Sequence, residues 1–188
     1  MEKKRRPGTS SRTDGICFGS HPSIHAIKIK QFHTPIIKGS GIMKLSIGSD
    51  HGGYQLKRDL ISRLEEDEYE VFDKGSFGPD PVDYPDIAFD LADDITSGRS
   101  DLGILICGTG IGMSNAASRV EGVVAALCTN EYMAKMARLH NDANILCLGA
   151  RVIGDELAWS IVKEFIKGSP MTEDKYQRRR GKVSRGPE

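Results

Sequence analysis

Short apolar strand patterns alternate with amphipathic helix patterns from residue 43 to residue 166, and this alternation constrains the fold more than any other feature of the sequence. Strands separated by helices form parallel sheets that are covered by helices on both faces. The sequence therefore predicts an α/β fold: a three-layer, doubly wound, Rossmann-like sheet of five parallel strands in the order 2-1-3-4-5, followed by a C-terminal helical tail. The predicted strands are residues 44–49, 69–72, 102–106, 123–127 and 145–148, and the predicted helices are residues 54–66, 85–95, 113–120, 131–139 and 153–166.

The segment 106–112 joins the third predicted strand to the third predicted helix, and it contains Cys107 followed by three glycines. A glycine loop at a helix N-terminus directs backbone N–H groups toward an anion, and the same dipoles favour negative charge on a sulfur placed there. A nucleotide-binding loop can look similar. However, no Gly-Lys-Ser/Thr follows, and the loop comes after the third strand rather than the first. The cysteine before the first glycine is a feature that a nucleotide site does not require, and it favours an enzyme.

Two further segments carry candidate chemistry. Asp50 and His51 follow the first strand, and ligands of doubly wound sheets bind beyond the carboxyl ends of the strands, between strands 1 and 3. We therefore expect both residues to share a crevice with Cys107, although Asp50 is equally well explained as a cap of the following helix. His140 closes the fourth helix, where it either complements the helix dipole or transfers protons near neutral pH. Arg151 follows the fifth strand, at the same carboxyl edge of the sheet.

The charges are unevenly distributed along the chain, although the formal net charge is zero. Residues 1–42 carry eight Lys and Arg against two acidic residues, residues 43–170 carry twelve against twenty-one, and residues 171–188 carry six against three. An acidic body binds nucleic acid poorly, and no apolar run approaches the roughly 20 residues of a membrane span. We therefore expect neither a nucleic acid nor a membrane as a partner.

The chain is predicted to have three parts. Residues 1–42 are basic and lack a sustained period, so they are interpreted as a disordered extension or as the product of an upstream start codon, with a weak likeness to a transit peptide. Residues 43–170 form the α/β domain. Residues 171–188 are a basic tail, whose cations are either solvated or form a clamp for a phosphorylated ligand on a neighbouring subunit.

The four cysteines, at positions 17, 107, 128 and 147, form no CxxC pair and have no zinc-finger spacing to histidine. The sequence therefore predicts neither a disulfide framework nor a metal site, and the reducing cytoplasm is the expected location. Cys128 and Cys147 lie in apolar strand patterns and are predicted to be small core residues.

Five segments occur in order along the domain: residues 48–54, 83–85, 106–114, 138–144 and 149–154. On these segments, residues 43–169 resemble the ribose-5-phosphate isomerase B family, within the wider group that includes galactose-6-phosphate isomerase subunits. The galactose-type relatives generally lack a His-Asn-Asp run such as residues 140–142, so the ribose-type branch is the closer one. The resemblance implies an aldose–ketose isomerase of the pentose phosphate pathway that acts on a five-carbon sugar phosphate through an enediolate. It also implies a homodimer or homotetramer with shared active sites, and no metal or other cofactor.

The same resemblance implies roles for individual residues. Cys107 is the base that removes the C2 proton, and His140 assists ring opening, with Thr109 and Asp50 nearby. The amides of residues 108–112 stabilise the enediolate, Asn141 and Tyr84 contact sugar hydroxyls, and cationic side chains bind the phosphate. The substrate-binding residues implied in this way are His51, Tyr84, Gly108, Gly110, Ile111, Gly112, Asn141, Arg151, Lys175 and Arg179.

The C-terminal segment departs from the family pattern Gly-Gly-Arg-His-x-x-Arg. Glu173 and Asp174 replace the glycines. Lys175 stands where a phosphate-binding arginine is expected, and an ammonium group is a point charge that cannot make the bidentate contact of a guanidinium. Two alternatives therefore stay open beside ribose 5-phosphate isomerisation. One is an isomerase of another aldose phosphate, of the allose 6-phosphate or galactose 6-phosphate type, and the other is a non-catalytic sugar-phosphate sensor.

Overall fold

The computed structural model describes residues 37–38 and 41–186, and it confirms the predicted α/β class. The predicted extension over residues 1–42 lies outside the described residues except for two short strands, which pair antiparallel with each other. The elements in chain order are β1 Ile37–Lys38, β2 Gly41–Ile42, β3 Lys44–Ser49, α1 Tyr54–Glu66, β4 Glu70–Asp73, α2 Tyr84–Thr96, β5 Leu102–Cys107, α3 Ile111–Ala117, β6 Ala125–Leu127, α4 Glu131–Asn141, β7 Ile145–Gly149, α5 Asp155–Lys167 and α6 Asp174–Arg185.

The central sheet has five parallel strands in the order β4-β3-β5-β7-β6. Counted along the chain, this order is 2-1-3-5-4, so the predicted doubly wound sheet is confirmed but the predicted order of its last two strands was wrong. The physical reason is burial. All five residues of β7 are buried and pair with β5, whereas β6 has only three, half-buried residues and lies at the edge. The more apolar strand occupies the interior of a parallel sheet.

Alternate side chains of the strands enter two separate apolar layers. On one face, strand residues such as Ile47 and Ile104 pack with α1, α4 and α5, and Phe165 of α5 is fully buried there. On the other face, residues such as Leu105 and Cys147 pack with α2 and α3. Burying each large apolar side chain contributes about 1.5–3 kcal/mol. Both faces of the sheet are therefore covered, and its carboxyl edge is left open to bind a ligand.

The helices agree with the predicted ones apart from their ends. Pro85 lies in the first turn of α2, where its missing N–H costs nothing, and α3 ends at Ala117 instead of residue 120. The predicted helical tail is confirmed as α6, a helix of 12 residues with no fully buried side chain. Within the described part of the chain, no helix combines the length and the hydropathy that crossing a membrane requires.

Candidate active site

A cleft of about 260 Å³ opens where β3 and β5 end side by side, and we call it the cysteine cleft. The two strands are parallel neighbours, so the residues that follow them meet at one edge of the sheet. The predicted crevice that joins Asp50 and His51 to the glycine loop is therefore confirmed. The residues that line this cleft are Asp50, His51, Gly52, Tyr84, Cys107, Gly108, Thr109, Gly112 and Arg151.

Cys107 is the last residue of β5, and 5% of its surface is exposed. The amide of Gly110 donates a hydrogen bond to its Sγ, at 3.0 Å. Gly110 has a φ of 78°, and a Cβ there would lie 2.5 Å from Cδ1 of Leu127 and 2.9 Å from the carbonyl carbon of Leu148. Only glycine therefore permits the loop to turn back toward the sulfur. Thr109 beside it is exposed, and its hydroxyl accepts a bond from the Ile111 amide at 3.4 Å.

Asp50 organises the loop between β3 and α1. Its Oδ1 accepts hydrogen bonds from the amides of Gly52, at 2.8 Å, and Gly53, at 3.1 Å. Its own amide donates to the carbonyl of Ile106 at 3.1 Å, which ties the loop to β5. Asp50 therefore orders the loop, but the prediction that it caps α1 was wrong, because Gly53 is the N-cap and no side chain caps that helix. The same residue lines the cysteine cleft.

Tyr84 and Arg151 form the walls of the cysteine cleft. The Tyr84 ring lies against Gly112, where an added Cβ would be 3.0 Å from the ring, so this glycine makes room for the tyrosine. The side chain of Arg151 passes over Gly108, and its amide donates to the Gly108 carbonyl at 3.0 Å. His51 and Arg151 are both exposed and line the same cleft. The cleft therefore combines a thiol, backbone amides, an imidazole and a guanidinium.

His140, Asn141 and Arg179 lie in a different cavity, of about 520 Å³, which we call the histidine cleft. His140 is in the last turn of α4, from which the chain enters β7 at its amino end, whereas Cys107 terminates β5 at its carboxyl end. Each step along a strand advances about 3.3 Å, so the four steps of β7 separate these two edges by about 13 Å. One chain therefore does not bring His140 and Cys107 together.

The segment 138–144 divides into structural residues and cleft residues. Arg138 is buried, and it donates to Asp142 Oδ1 at 3.0 Å and to the carbonyl of Ala143 at 2.6 Å. The Asn144 side chain bonds the backbone of residues 122 and 124. These contacts hold the end of α4 rigidly and leave His140 and Asn141 at the histidine cleft.

Helix α6 closes the histidine cleft, and it contains contacts that sequence patterns did not indicate. The Tyr176 ring stacks on the His140 imidazole with 4.7 Å between centroids and 19° between planes. Arg180 donates to the carbonyls of His140, at 3.4 Å, and Met171, at 3.0 Å. Lys175 lines neither cleft, and its ammonium lies 4.7 Å from the centre of the Tyr176 ring. Arg180 was among the cations that the sequence suggested as a phosphate clamp, but its bonds to the backbone were not predicted. Tyr176 was not a candidate, because only the basic residues of the tail drew attention.

The other described cysteines are core residues, as predicted. Burial raises the pKa of the Cys128 thiol to about 11. Burial, together with the neighbouring Cys107 and Cys128 thiols, raises the pKa of Cys147 well above its ordinary value. Across residues 37–38 and 41–186, no group of three or more His, Cys, Asp or Glu side chains is placed to hold a metal ion.

Comparison with known proteins adds independent information. Residues 45–183 match the family model described as Ribose/Galactose Isomerase. The chain is 41% identical over 136 residues to ribose-5-phosphate isomerase B of Escherichia coli, covering 72% of this chain and 91% of the relative. It is 46% identical over 143 residues to a putative sugar phosphate isomerase of Bacillus subtilis, covering 76% of this chain and 95% of that protein.

Solved structures show the same likeness. A ribose-5-phosphate isomerase B of Clostridium thermocellum superposes with a TM-score of 0.74 at 50% identity, over 76% of this chain and 96% of that one. A ribose-5-phosphate isomerase B of Mycoplasma genitalium with bound ribulose-5-phosphate superposes with a TM-score of 0.72 at 41% identity, over 76% of this chain and 95% of that one.

Proposed function

The chain belongs to the ribose/galactose isomerase family and is an aldose–ketose isomerase, and we propose that it interconverts ribose 5-phosphate and ribulose 5-phosphate. The observation that carries this proposal is the cysteine cleft. There a thiol that accepts an amide hydrogen bond lies at the carboxyl edge of the sheet, together with His51 and Arg151. A thiol as base, with an imidazole and a guanidinium to bind the phosphate, are groups that the isomerisation of a sugar phosphate can use.

Cys107 acts as the base in this proposal. A hydrogen on C2 of an aldose is a weak acid, so its removal needs stabilisation of the enediolate as the charge develops. The sulfur takes the C2 proton, and the same proton or one from solvent is then delivered to C1. The hydroxyl proton of O2 passes to O1, so that the carbonyl moves from C1 to C2. The Gly110 amide already contacts the sulfur, so the neighbouring amides of residues 108–112 are the donors for the enediolate oxygen. Removal of one such donor typically costs about 3 kcal/mol.

Substrate position is set by the walls of the cleft. Tyr84 contacts sugar hydroxyls, Thr109 and Asp50 lie near the reacting carbons, and His51 and Arg151 bind the phosphate. Because the phosphate is held away from the reacting carbons, the proton transfer becomes effectively intramolecular. This positioning can supply much of the reduction in the activation barrier of the proton transfer.

A second copy of the chain completes the site. His140, which assists ring opening, lies at the amino edge of the sheet and away from Cys107, as do Asn141 and Arg179. We therefore place the histidine cleft of one subunit against the cysteine cleft of another in a homodimer, alone or within a homotetramer, with the tail of residues 171–188 at that interface. We also place the enzyme in the cytoplasm, because the described cysteines are free thiols.

The test is turnover of ribose 5-phosphate by the purified protein in the presence of a chelator. Wild type should produce ribulose 5-phosphate, and Cys107→Ala should lower kcat by roughly 10²–10⁴-fold, the range for loss of a general base. Cys128→Ala, which removes a buried thiol outside both clefts, is the matched control and should stay near wild type. Turnover that survives Cys107→Ala would keep the reaction and remove Cys107 as its base.

One observation favours a second candidate, an isomerase of another aldose phosphate. Lys175 lines neither cleft, and two acidic residues precede it at the start of α6, so the cationic set around the phosphate departs from the family pattern. A panel that includes allose 6-phosphate and galactose 6-phosphate separates the candidates by their kcat/KM. Binding without turnover of any sugar phosphate would instead identify a sensor.

A further inference from the structure

We propose that Tyr176 is a positioning residue, which holds the His140 imidazole in the orientation needed for opening the sugar ring. This inference rests on the proposed function, since it assigns His140 a role in ring opening. Tyr176 itself touches no reacting atom. It acts through the imidazole on which its ring is stacked.

The geometry of the pair supports a positioning role. The rings are nearly parallel, with an interplanar angle of 19° and 4.7 Å between centroids, within the offset-stacked range of aromatic pairs. Both side chains are half-buried, and both line the histidine cleft. A flat ring against one face of the imidazole restricts its rotation while its nitrogen atoms stay free to contact a ligand.

The backbone around His140 is held by the same part of the chain. Arg180 bridges the carbonyls of His140 and Met171, and the Met171 amide donates to Leu139 at 2.9 Å. Helix α6 has no fully buried side chain, so an apolar core does not explain its placement. The tail thus contacts both the backbone and the ring of His140. A tail that was merely solvated would make neither contact.

Orientation matters because a proton must pass between the imidazole and the ring oxygen of the furanose. A displacement of about 1 Å can reduce the contribution of a catalytic group about a hundredfold. Loss of the stack therefore should impair ring opening specifically. Proton transfer at carbon should be unaffected, because its proposed base is Cys107, which Tyr176 does not contact, and not His140.

The two substrates separate these steps. Ribose 5-phosphate is a closed furanose that must open before C2 can be deprotonated. Ribulose 5-phosphate is open-chain, since its O5 carries the phosphate and no five-membered ring can form from C2. Exchange of its C1 hydrogen with deuterium in D₂O, followed by NMR, reports enediolate formation without ring opening. The variants to compare are Tyr176→Leu, Tyr176→Phe, which keeps an aromatic ring, and Tyr132→Leu, which removes an exposed tyrosine from α4.

In Tyr176→Leu, kcat from ribose 5-phosphate should fall by roughly tenfold or more, while KM and the rate of C1 exchange stay near wild type. Tyr176→Phe and Tyr132→Leu should keep both rates. Unchanged kcat in Tyr176→Leu would overturn the proposal, and so would a parallel loss of C1 exchange, which indicates a general structural role. Wild-type protein that catalyses neither isomerisation nor exchange would instead overturn the proposed function itself.

Discussion

The Gly110 amide lies 3.0 Å from the sulfur of Cys107 and donates a hydrogen bond to it, across a loop of only two intervening residues. This contact exists because Gly110 adopts a left-handed φ of 78° and packs directly on the backbone of Leu148. The loop therefore serves two purposes. It orients the thiol, and it begins α3 at the edge of the cysteine cleft.

Replacement of Gly110 should disrupt both purposes. We expect Gly110→Ala to lower the free energy of unfolding by about 1–3 kcal/mol, because the added Cβ meets Leu127 and Leu148 in a strained conformation. Isomerase activity should fall with it. Gly181→Ala is the matched control, since nothing lies within 4 Å of a Cβ in that helix, and it should raise stability by at most about 1 kcal/mol. If urea unfolding gave the two variants equal stability, the left-handed conformation and close packing of Gly110 would not be needed for stability.

Sharing of the active site between subunits can be measured by complementation. Cys107→Ala and His140→Ala should each be nearly inactive, and a mixture of the two, unfolded and refolded together in equal amounts, should recover about a quarter of wild-type activity. Half of the dimers in such a mixture are hybrids, and each hybrid has one site with both residues intact. The physical basis is the placement of the two residues at opposite edges of the sheet.

The control for complementation is mixing of the two folded variants without unfolding, which should recover activity only as fast as subunits exchange. Absence of recovery after joint refolding, with both variants folded and dimeric, would show that each chain supplies its own His140.

Lys57 is a fully buried lysine of α1, and it should contribute substantially to stability. It donates to the carboxylate of Asp73 and to the carbonyl of Ser76 at 2.9 Å. The loop that it holds also bonds the end of β3, where the Ser49 amide donates to Gly75 at 2.5 Å, next to Asp50. We expect Lys57→Met to lower the free energy of unfolding by about 2–3 kcal/mol, less than for a fully buried pair because Asp73 is partly exposed.

Lys135→Met is the matched control for Lys57, because Lys135 is an exposed lysine of α4, and its replacement should change stability by less than about 0.5 kcal/mol. Thermal or urea unfolding measures both variants. A Lys57→Met protein as stable as the control would show that the buried ion pair contributes no net stability.

Asp94 should make stability depend on pH at acidic values. Burial alone would raise its pKa, but hydrogen bonds from Ser46, Arg99 and Lys74 outweigh that effect and hold the pKa below 3.8. Because the folded pKa is the lower one, the stabilisation is complete above the unfolded value and is lost as the pH falls through the folded value. Asp94→Asn should therefore cost about 2–3 kcal/mol at about pH 7.

The difference between wild type and Asp94→Asn should narrow as the pH falls to about 3 and below. Urea unfolding across this range measures it, with Asp80→Asn, an exposed loop carboxylate, as the control that should follow wild type. If the difference in free energy of unfolding did not change with pH, ionisation of Asp94 would not contribute to stability.

The sequence by itself determined the strand and helix pattern, the doubly wound class and the meeting of Asp50, His51 and Cys107. These features follow from apolar periodicity within short windows and from a topological rule that holds for parallel sheets. The cysteine cleft was therefore predictable at the level of its residues, because it is assembled from segments that directly follow adjacent strands.

Tertiary structure alone decided the remaining relationships. The order of β7 and β6 depends on which strand buries more surface between its neighbours. The contact of Tyr176 with His140 depends on how α6 folds back over α4, between residues that are far apart along the chain. Such contacts depend on how whole helices and strands compete to pack against the same surface. A local sequence pattern does not predict the result of that competition.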